Sequence, residues 1–343
     1  MSDSNNQSSP NGVGLKDCGI FGLDSAIEDS EFVLIPIAWD ATTSYMTGTH
    51  QGPQSILESS PQLDLYHPDF PDLWKKGIYM PHQESWIAQE NKATRKYVEE
   101  IIAQLESGKK LSALHKEQLA KVNHSSAKLT NWLKSESKKY IEQGKIVGVV
   151  GGDHSVPLGL MQALAETKGK FGILHIDAHH DYRNAFMGFE ESHASIMHNA
   201  AKISEITHFV QVGIRDYCDE EKLFTKTDSS RFITFYDQQL KENGFKGKTW
   251  HDQCLEIVNK LPENIYISFD IDGLAPHLCP STGTPVPGGL GYEEVLYLIK
   301  LASQKSKIIG FDLVEVGGET DSIDAIVGAR ILWHLCGYTS ASK

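Results

Sequence analysis

An α/β fold built on a parallel sheet is predicted by three features of the sequence. From about residue 145 onward, short β-branched and aromatic runs alternate with amphipathic stretches, the rhythm of βαβ units. Three of the apolar runs, Ile146-Val-Gly-Val-Val150, Phe171-Gly-Ile-Leu-His-Ile176 and Ile265-Tyr-Ile-Ser-Phe269, break off abruptly into clusters of His and Asp. Such clusters belong at the carboxyl ends of parallel strands, where open α/β sheets gather ligands. No repeat or linker separates the three, so they are expected to fold as one unit.

The elements follow in order. Residues 1–17, rich in Ser, Asn and Gln at the start, read as a disordered tail, leaving residues 18–343 as a single domain. Residues 31–37 form the first strand candidate. A long small-polar loop, 40–53, follows, of the kind that carries function when fixed on a rigid sheet. Residues 91–110 and 115–144 place apolar side chains at helical spacing, with Lys and Glu on the other faces. Both read as packing helices without chemistry. Ser155 is expected to cap a helix running through Leu158, Met161 and Leu164, with Pro157 in its first turn. Later strands fit at 207–212, 232–236, 265–270 and 307–314, and helices at 249–261, 292–303 and 322–335.

The chemistry lies where strands end. In an extended backbone Asp177, His179 and Asp181 share one face while Ala178 and His180 point away. His154 follows the pair Gly151-Gly152, which lets the backbone bend sharply, and Asp270 and Asp272 repeat the alternate spacing. Carboxylates with imidazole suit Mn, Fe, Ni or Zn, and the lack of a nearby Cys argues against a closed structural zinc site. Four carboxylates and two neutral imidazoles balance two divalent cations, whereas one metal leaves surplus buried negative charge. Two such metals share a water and bring its pKa toward neutrality, giving a bridging hydroxide that attacks an electrophilic centre. The net negative centre favours a cationic substrate over a phosphate ester.

Composition narrows the remaining classes. A net charge of -13 disfavours nucleic acid and anionic membranes as partners. Five cysteines, an odd number without CxxC spacing, fit a reducing cytoplasm better than a disulfide framework. Neither a signal sequence nor an apolar run of membrane-spanning length is found.

Gly-Gly-Asp-His-Ser at 151–155, Asp-Ala-His-His-Asp at 177–181 and Ser-Phe-Asp-Ile-Asp-Gly-Leu at 268–274 together resemble the signatures of the ureohydrolases, the arginase and agmatinase family. The similarity extends through Val212-Gly-Ile-Arg-Asp216, 283–289 and Asp312-Leu-Val-Glu-Val316, over roughly residues 30–338. The resemblance implies a three-layer α/β/α domain on a mainly parallel sheet of about eight strands, and a homotrimer or homohexamer. It implies two manganese ions, with nickel open as an alternative, and release of urea. It places His154, Asp177, Asp181 and Asp270 on one metal, and Asp177, His179, Asp270 and Asp272 on the other. It makes His193 the substrate-side histidine and Glu315 the carboxylate that grips the guanidinium. A carboxylate accepts the guanidinium fork in bidentate fashion, an imidazole of ordinary pKa shuttles protons near neutrality, and Asp181 is placed to take the proton of the hydroxide.

The substrate is less legible. Glu190 and Glu191 favour a distal ammonium as in agmatine, whereas Arg183 and Asn184 favour a carboxylate as in guanidinobutyrate or arginine. Thr43 is a further substrate-side candidate, in a 39–49 segment that, with Trp39 and Tyr45, folds over the site in the reading that selects guanidine or a small alkylguanidine. The chain departs from the family at Ala275-Pro276, Gly317-Gly318 and Ala194, and lacks the arginines common in the agmatinase loop. A single-zinc amidohydrolase, a two-metal phosphoesterase and a non-catalytic metal-binding subunit are the competing readings. The complete set of six candidate ligands, together with His193, disfavours the first and third, and the negative centre disfavours the second.

Overall fold

The computed structural model describes Gly12, Gly14, Leu15 and residues 18–342. The tail expected over 1–17 lies outside the described residues apart from those three. Among the described residues eight strands form one sheet: β1 (Phe32–Pro36), β2 (Ile78–Tyr79), β3 (Ile146–Val150), β4 (Phe171–Ile176), β5 (Ile206–Ile214), β6 (Phe232–Tyr236), β7 (Asn264–Asp270) and β8 (Lys307–Val314). Their order is β2-β1-β3-β8-β7-β4-β5-β6, and every neighbouring pair is parallel. Near-continuous burial of β3, β4, β7 and β8 is what a sheet covered on both faces requires.

The helices are α1 (Gly52–Ser59), α2 (Ser85–Glu106), α3 (Ala113–Glu142), α4 (Leu158–Lys168), α5 (Ile196–Ala200), α6 (Asp219–Thr225), α7 (Asp237–Phe245), α8 (Trp250–Val258), α9 (Tyr292–Lys305) and α10 (Ile323–Ser340). Two apolar cores lie against the sheet. One joins Leu34, Leu174, Ile267 and Phe311 to Ile56, Ile257, Leu298 and Leu332 of α1, α8, α9 and α10. The other joins Val33, Val149 and Ile173 to Leu133, Leu160 and Met197 of α3, α4 and α5. A satellite cluster of Val98, Ile101, Val122 and Phe189 binds α2 and α3 to the segment beyond Asp181.

Two local expectations change. Ser155 does not cap α4; its hydroxyl and backbone N–H both go to Asp153, and the helix begins three residues later. Gly151 and Gly152 bend without positive φ. Gly152 is instead required by close approach, because a Cβ there would lie 1.9 Å from the carbonyl oxygen of Trp39. The two-residue β2 and the short α1, α5, α6 and α7 went unread, being too brief to display a period.

Candidate metal centre and substrate pocket

β3, β4 and β7 are close together in the sheet and stop at the same edge, so their terminal residues converge. β4 ends at Ile176, and the chain beyond it turns rather than continuing in strand alternation. Asp181 sits at φ 58, a left-handed conformation uncommon for a side-chain-bearing residue, and this turn brings its carboxylate back toward Asp177. Asp177 Oδ1 accepts from the His179 N–H at 2.6 Å, Asp272 Oδ1 from the Ala178 N–H at 3.0 Å, and Asp270 Oδ1 from the Asp272 N–H at 2.8 Å.

Nδ1 of His154 lies 3.0, 3.2 and 3.1 Å from oxygens of Asp177, Asp181 and Asp270. It is buried, yet forms a well-aligned hydrogen bond with none of them. The other ring nitrogen is 2.9 Å from Ser268 Oγ. Nδ1 of His179 lies 3.0 Å from Asp272 Oδ2 and 3.4 Å from Asp177 Oδ1, so Asp177 belongs to both groups. A nitrogen ringed by three buried carboxylates calls for a cation between them. Oxygen and imidazole donors without thiolate fit a pair of divalent ions.

The electrostatics agree. Burial, with the charge of Asp177 added, pushes the Asp181 carboxyl up to about 6. Burial and the charges of Asp272 and Asp177 push Asp270 well above the ordinary carboxylate value. Burial also acts to raise Asp177, but the imidazoles of His175, His154 and His179 outweigh it and hold this carboxyl well below its usual value.

Glu315 follows β8 with φ 59. Its Oε1 accepts from the His154 N–H at 3.0 Å, while Oε2 is buried with no hydrogen-bond partner. His193 begins a short 3-10 turn, His193–Ser195. Burial first, then the neighbouring imidazoles of His179 and His154, push its pKa down to about 3, well below the near-neutral value expected from the sequence. A pocket of about 160 Å³ is lined by Ser44, Asp181, Arg183, His193, Asp216 and Glu315, among others.

The substrate-side expectations separate. Arg183 lines the pocket, 3.7 Å from Glu221 Oε2 and with its guanidinium 4.8 Å from the Phe186 ring centre. Asn184 and Glu190 are exposed and lie outside the lining. Glu190 is turned away because its backbone serves α3 and α5, its N–H going to Asn123 and its carbonyl to Asn199. Glu191 accepts from Thr130 of α3 at 2.6 Å. Thr43 is buried outside the lining, its carbonyl taken by Arg95, and Ser44 holds the wall position instead. Trp39 is fully buried and Tyr45 is 73% exposed, and neither is among the residues that line the pocket.

Asp216, Tyr217 and Glu221 line the pocket and were missed as site residues. The position of Asp216 and Tyr217 directly after a strand adjacent to β4 was the available signal. His175 was also missed, although its place two residues before Asp177 puts both on one face. Arg215 staples the surrounding loops, donating to the carbonyls of Asp272, Leu274 and Val286 at 2.7, 3.1 and 2.9 Å.

Residues 30–337 match the model of the arginase family. The N(1)-aminopropylagmatine ureohydrolase of Thermus thermophilus is 28% identical over 323 residues, covering 93% of this chain and 94% of that protein. The agmatinase of Proteus mirabilis is 29% identical over 320 residues, covering 92% and 89%. The fold superposes on the agmatine ureohydrolase of Thermoplasma volcanium with a TM-score of 0.69 at 24% identity, covering 92% of each chain. With a family match running nearly from end to end and its signature residues converging at one edge of the sheet, the chain belongs to the arginase family of ureohydrolases.

Proposed function

We propose that this protein hydrolyses a C–N bond of a small cationic, agmatine-like guanidino compound and releases urea. The observation that carries the reading is Glu315: a buried carboxylate oxygen without a partner, on a residue fixed to the His154 backbone and lining the pocket beside the Asp and His cluster. A planar guanidinium supplies the charge and the donors this oxygen lacks. His154, Asp177, Asp181 and Asp270 would hold one divalent ion, and Asp177, His179, Asp270 and Asp272 the other. When bound, the ions supply the Lewis acidity that makes water nucleophilic near neutral pH. Manganese is the first choice of metal and nickel the second.

The chain's own groups do the rest. Glu315 orients the guanidinium carbon toward the cluster, lowering the entropy of the encounter. His193 is neutral at physiological pH, and its ring stands at the pocket wall where it would hydrogen-bond the departing amine. Asp181 presents an ionised carboxylate at the cluster, placed to accept a proton from the attacking water. Deep placement of the carboxylates limits water to what the pocket admits.

Reconstitution of metal-free protein with manganese or nickel, followed by a urea-release assay, tests the reading. Two ions per chain with turnover support it; one zinc per chain, or no urea from any guanidino compound with both sites filled, defeats it. We further propose a homotrimer or homohexamer, on family membership alone, and light scattering from a monomer refutes it. We propose a cytoplasmic location without nucleic-acid or membrane partners, on the unpaired cysteines and the net charge of -13; among the described residues no helix is long and apolar enough to cross a membrane. Fractionation that places the protein in a membrane or secreted fraction counts against that location.

A further inference from the structure

Residues 41–44 pass between α2 and the pocket with their carbonyls and hydroxyls sorted to opposite sides. Nη1 of Arg95, on α2, donates to the carbonyl of Ala41 at 3.2 Å and to that of Thr43. The alternate residues serve the other side. Thr42 Oγ1 donates to the buried Asp153 at 3.1 Å and accepts from the His193 N–H at 3.3 Å. Ser44 Oγ lies 3.5 Å from Nε2 of the same histidine. His193 is thus met at its backbone by one hydroxyl and at its ring by another, both from a segment whose register Arg95 holds.

The rest of the α2–α3 hairpin strengthens the same clamp. Asn91, one turn before Arg95, exchanges two hydrogen bonds with Asp40, at 3.0 and 2.9 Å. Asn123 of α3 donates to the Gly188 carbonyl at 3.2 Å and accepts from the Glu190 N–H at 3.1 Å, on the segment leading to His193. Arg95 itself keeps only 18% of its side chain exposed, with Nε bonded to Glu99. These helices, which the sequence presents as packing elements without chemistry, hold both segments that bring polar groups to the pocket wall.

We propose that Arg95 and Thr42 are positioning residues for His193. Arg95 fixes the backbone of 41–44 through two carbonyls, and the Thr42 hydroxyl fixes the N–H from which the His193 ring reaches the pocket. The kinetic part of this proposal rests on the ureohydrolase reading above; the structural part does not.

The test uses the full-length, metal-loaded protein with Thr42→Val, Thr42→Ser, Arg95→Met and the Thr42→Val/Arg95→Met double variant. Valine preserves the shape of threonine and removes the hydroxyl; methionine retains an apolar stem and removes the donors. Amide hydrogen exchange at His193 is expected to accelerate by about tenfold or more in Thr42→Val and Arg95→Met, with metal content unchanged. Thr42→Ser restores the slow exchange. In turnover, kcat falls about tenfold with KM nearly unchanged in each single variant, the pattern of an interaction acting on the reaction step. The double variant falls little further, because both changes release one coupled arrangement.

Unchanged exchange at His193 in Thr42→Val overturns the proposal, as does a double variant whose loss equals the product of the two single losses. If Arg95→Met fails to fold, Thr42→Val against Thr42→Ser still decides through exchange. If the wild-type protein releases no urea from any guanidino compound, the proposed function fails while the exchange measurement continues to judge the clamp.

Discussion

Nε2 of His175 lies 2.7 Å from Oδ2 of Asp177, the carboxylate common to both candidate metal groups. Distance alone would let His175 join the ligands. Gln211 argues otherwise: its Oε1 is 2.6 Å from His180 Nδ1, and its Nε2 donates to the His180 carbonyl at 3.0 Å and to His175 Nδ1 at 2.8 Å. A histidine accepting at Nδ1 carries its proton on Nε2, so His175 donates to Asp177 and orients it.

His175→Ala is therefore expected to leave two ions per chain at saturation but to weaken metal binding by about 10–100-fold, the range for losing a partner of a ligand. Calorimetric titration of metal-free protein measures this directly. Saturation at one ion would instead make His175 a ligand.

Asp177 and Asp272 should differ sharply. Asp177 reaches the imidazoles of both His154 and His179, whereas Asp272 reaches only that of His179. Asp177→Ala is expected to lose both ions and all turnover. Asp272→Ala is expected to retain one. Metal analysis after dialysis checks the pair, and equal losses would remove the distinction between shared and unshared carboxylates.

Much of the centre was legible because three apolar runs end in charge, a pattern that only a strand tip readily accommodates. What surrounds it was less so, because it depends on approach between segments distant in sequence. Gly317, read from the sequence as a departure from the family pattern, illustrates the difference: a Cβ there would lie 1.8 Å from the carbonyl oxygen of Ser281. The departure thus belongs to a close backbone crossing that no local pattern announces. Asp181 joins the cluster, but not by the alternation that placed it there in the sequence, since a left-handed turn and not an extended strand directs its side chain. Glu190 was misplaced because composition reveals a charge but not the backbone bonds that turn it outward.

Glu315→Gln preserves volume and the bond to the His154 N–H while removing the charge that would meet a guanidinium. Metal content should be unchanged. The specificity constant for the preferred guanidino substrate is expected to fall about 10²-fold or more, the scale for breaking a buried charge pair. An unaltered constant would exclude Glu315 from substrate binding.

Asp40 and His50 anchor the loop leading to the pocket, with Nδ1 of His50 2.6 Å from Asp40 Oδ2. Burial acts to raise Asp40, but hydrogen bonds from His50, Asn91 and Gly48 outweigh it and bring its pKa to about 2. The bond to Asp40 raises that of His50 above 6.5. Stability from Asp40 is present above its ordinary 3.8 and lost as pH falls through about 2; stability from His50 is present below 6.5 and lost as pH rises through its raised value. Between these limits both contributions are present. His50→Gln should therefore lower the melting temperature most at about pH 5–6, with the difference narrowing toward alkaline pH. A difference independent of pH would remove this pair as its source.

With the guanidinium on Glu315 as proposed, substrate choice would be set by what lies beyond it. The pocket wall there carries Asp216 and Tyr217 from the segment after β5, with Arg183 paired to Glu221 and stacked on Phe186. The exposed Asp216 carboxylate is available to a distal ammonium, whereas the Arg183 guanidinium is already engaged by an acid and a ring, which disfavours guanidino acids. Against a long substrate stands the modest volume of about 160 Å³, with Ser44 at the wall. The expected order is agmatine first, guanidine and methylguanidine close behind, guanidinobutyrate and arginine last. Specificity constants across that panel decide it. Asp216→Asn adds an internal control: it should lower the constant for agmatine about tenfold while leaving that for guanidine, which has no distal charge, near the wild-type value. If guanidine exceeds agmatine by more than about tenfold, roughly 1.4 kcal/mol in transition-state binding, the pocket closes around the guanidinium alone and the agmatine-like assignment falls.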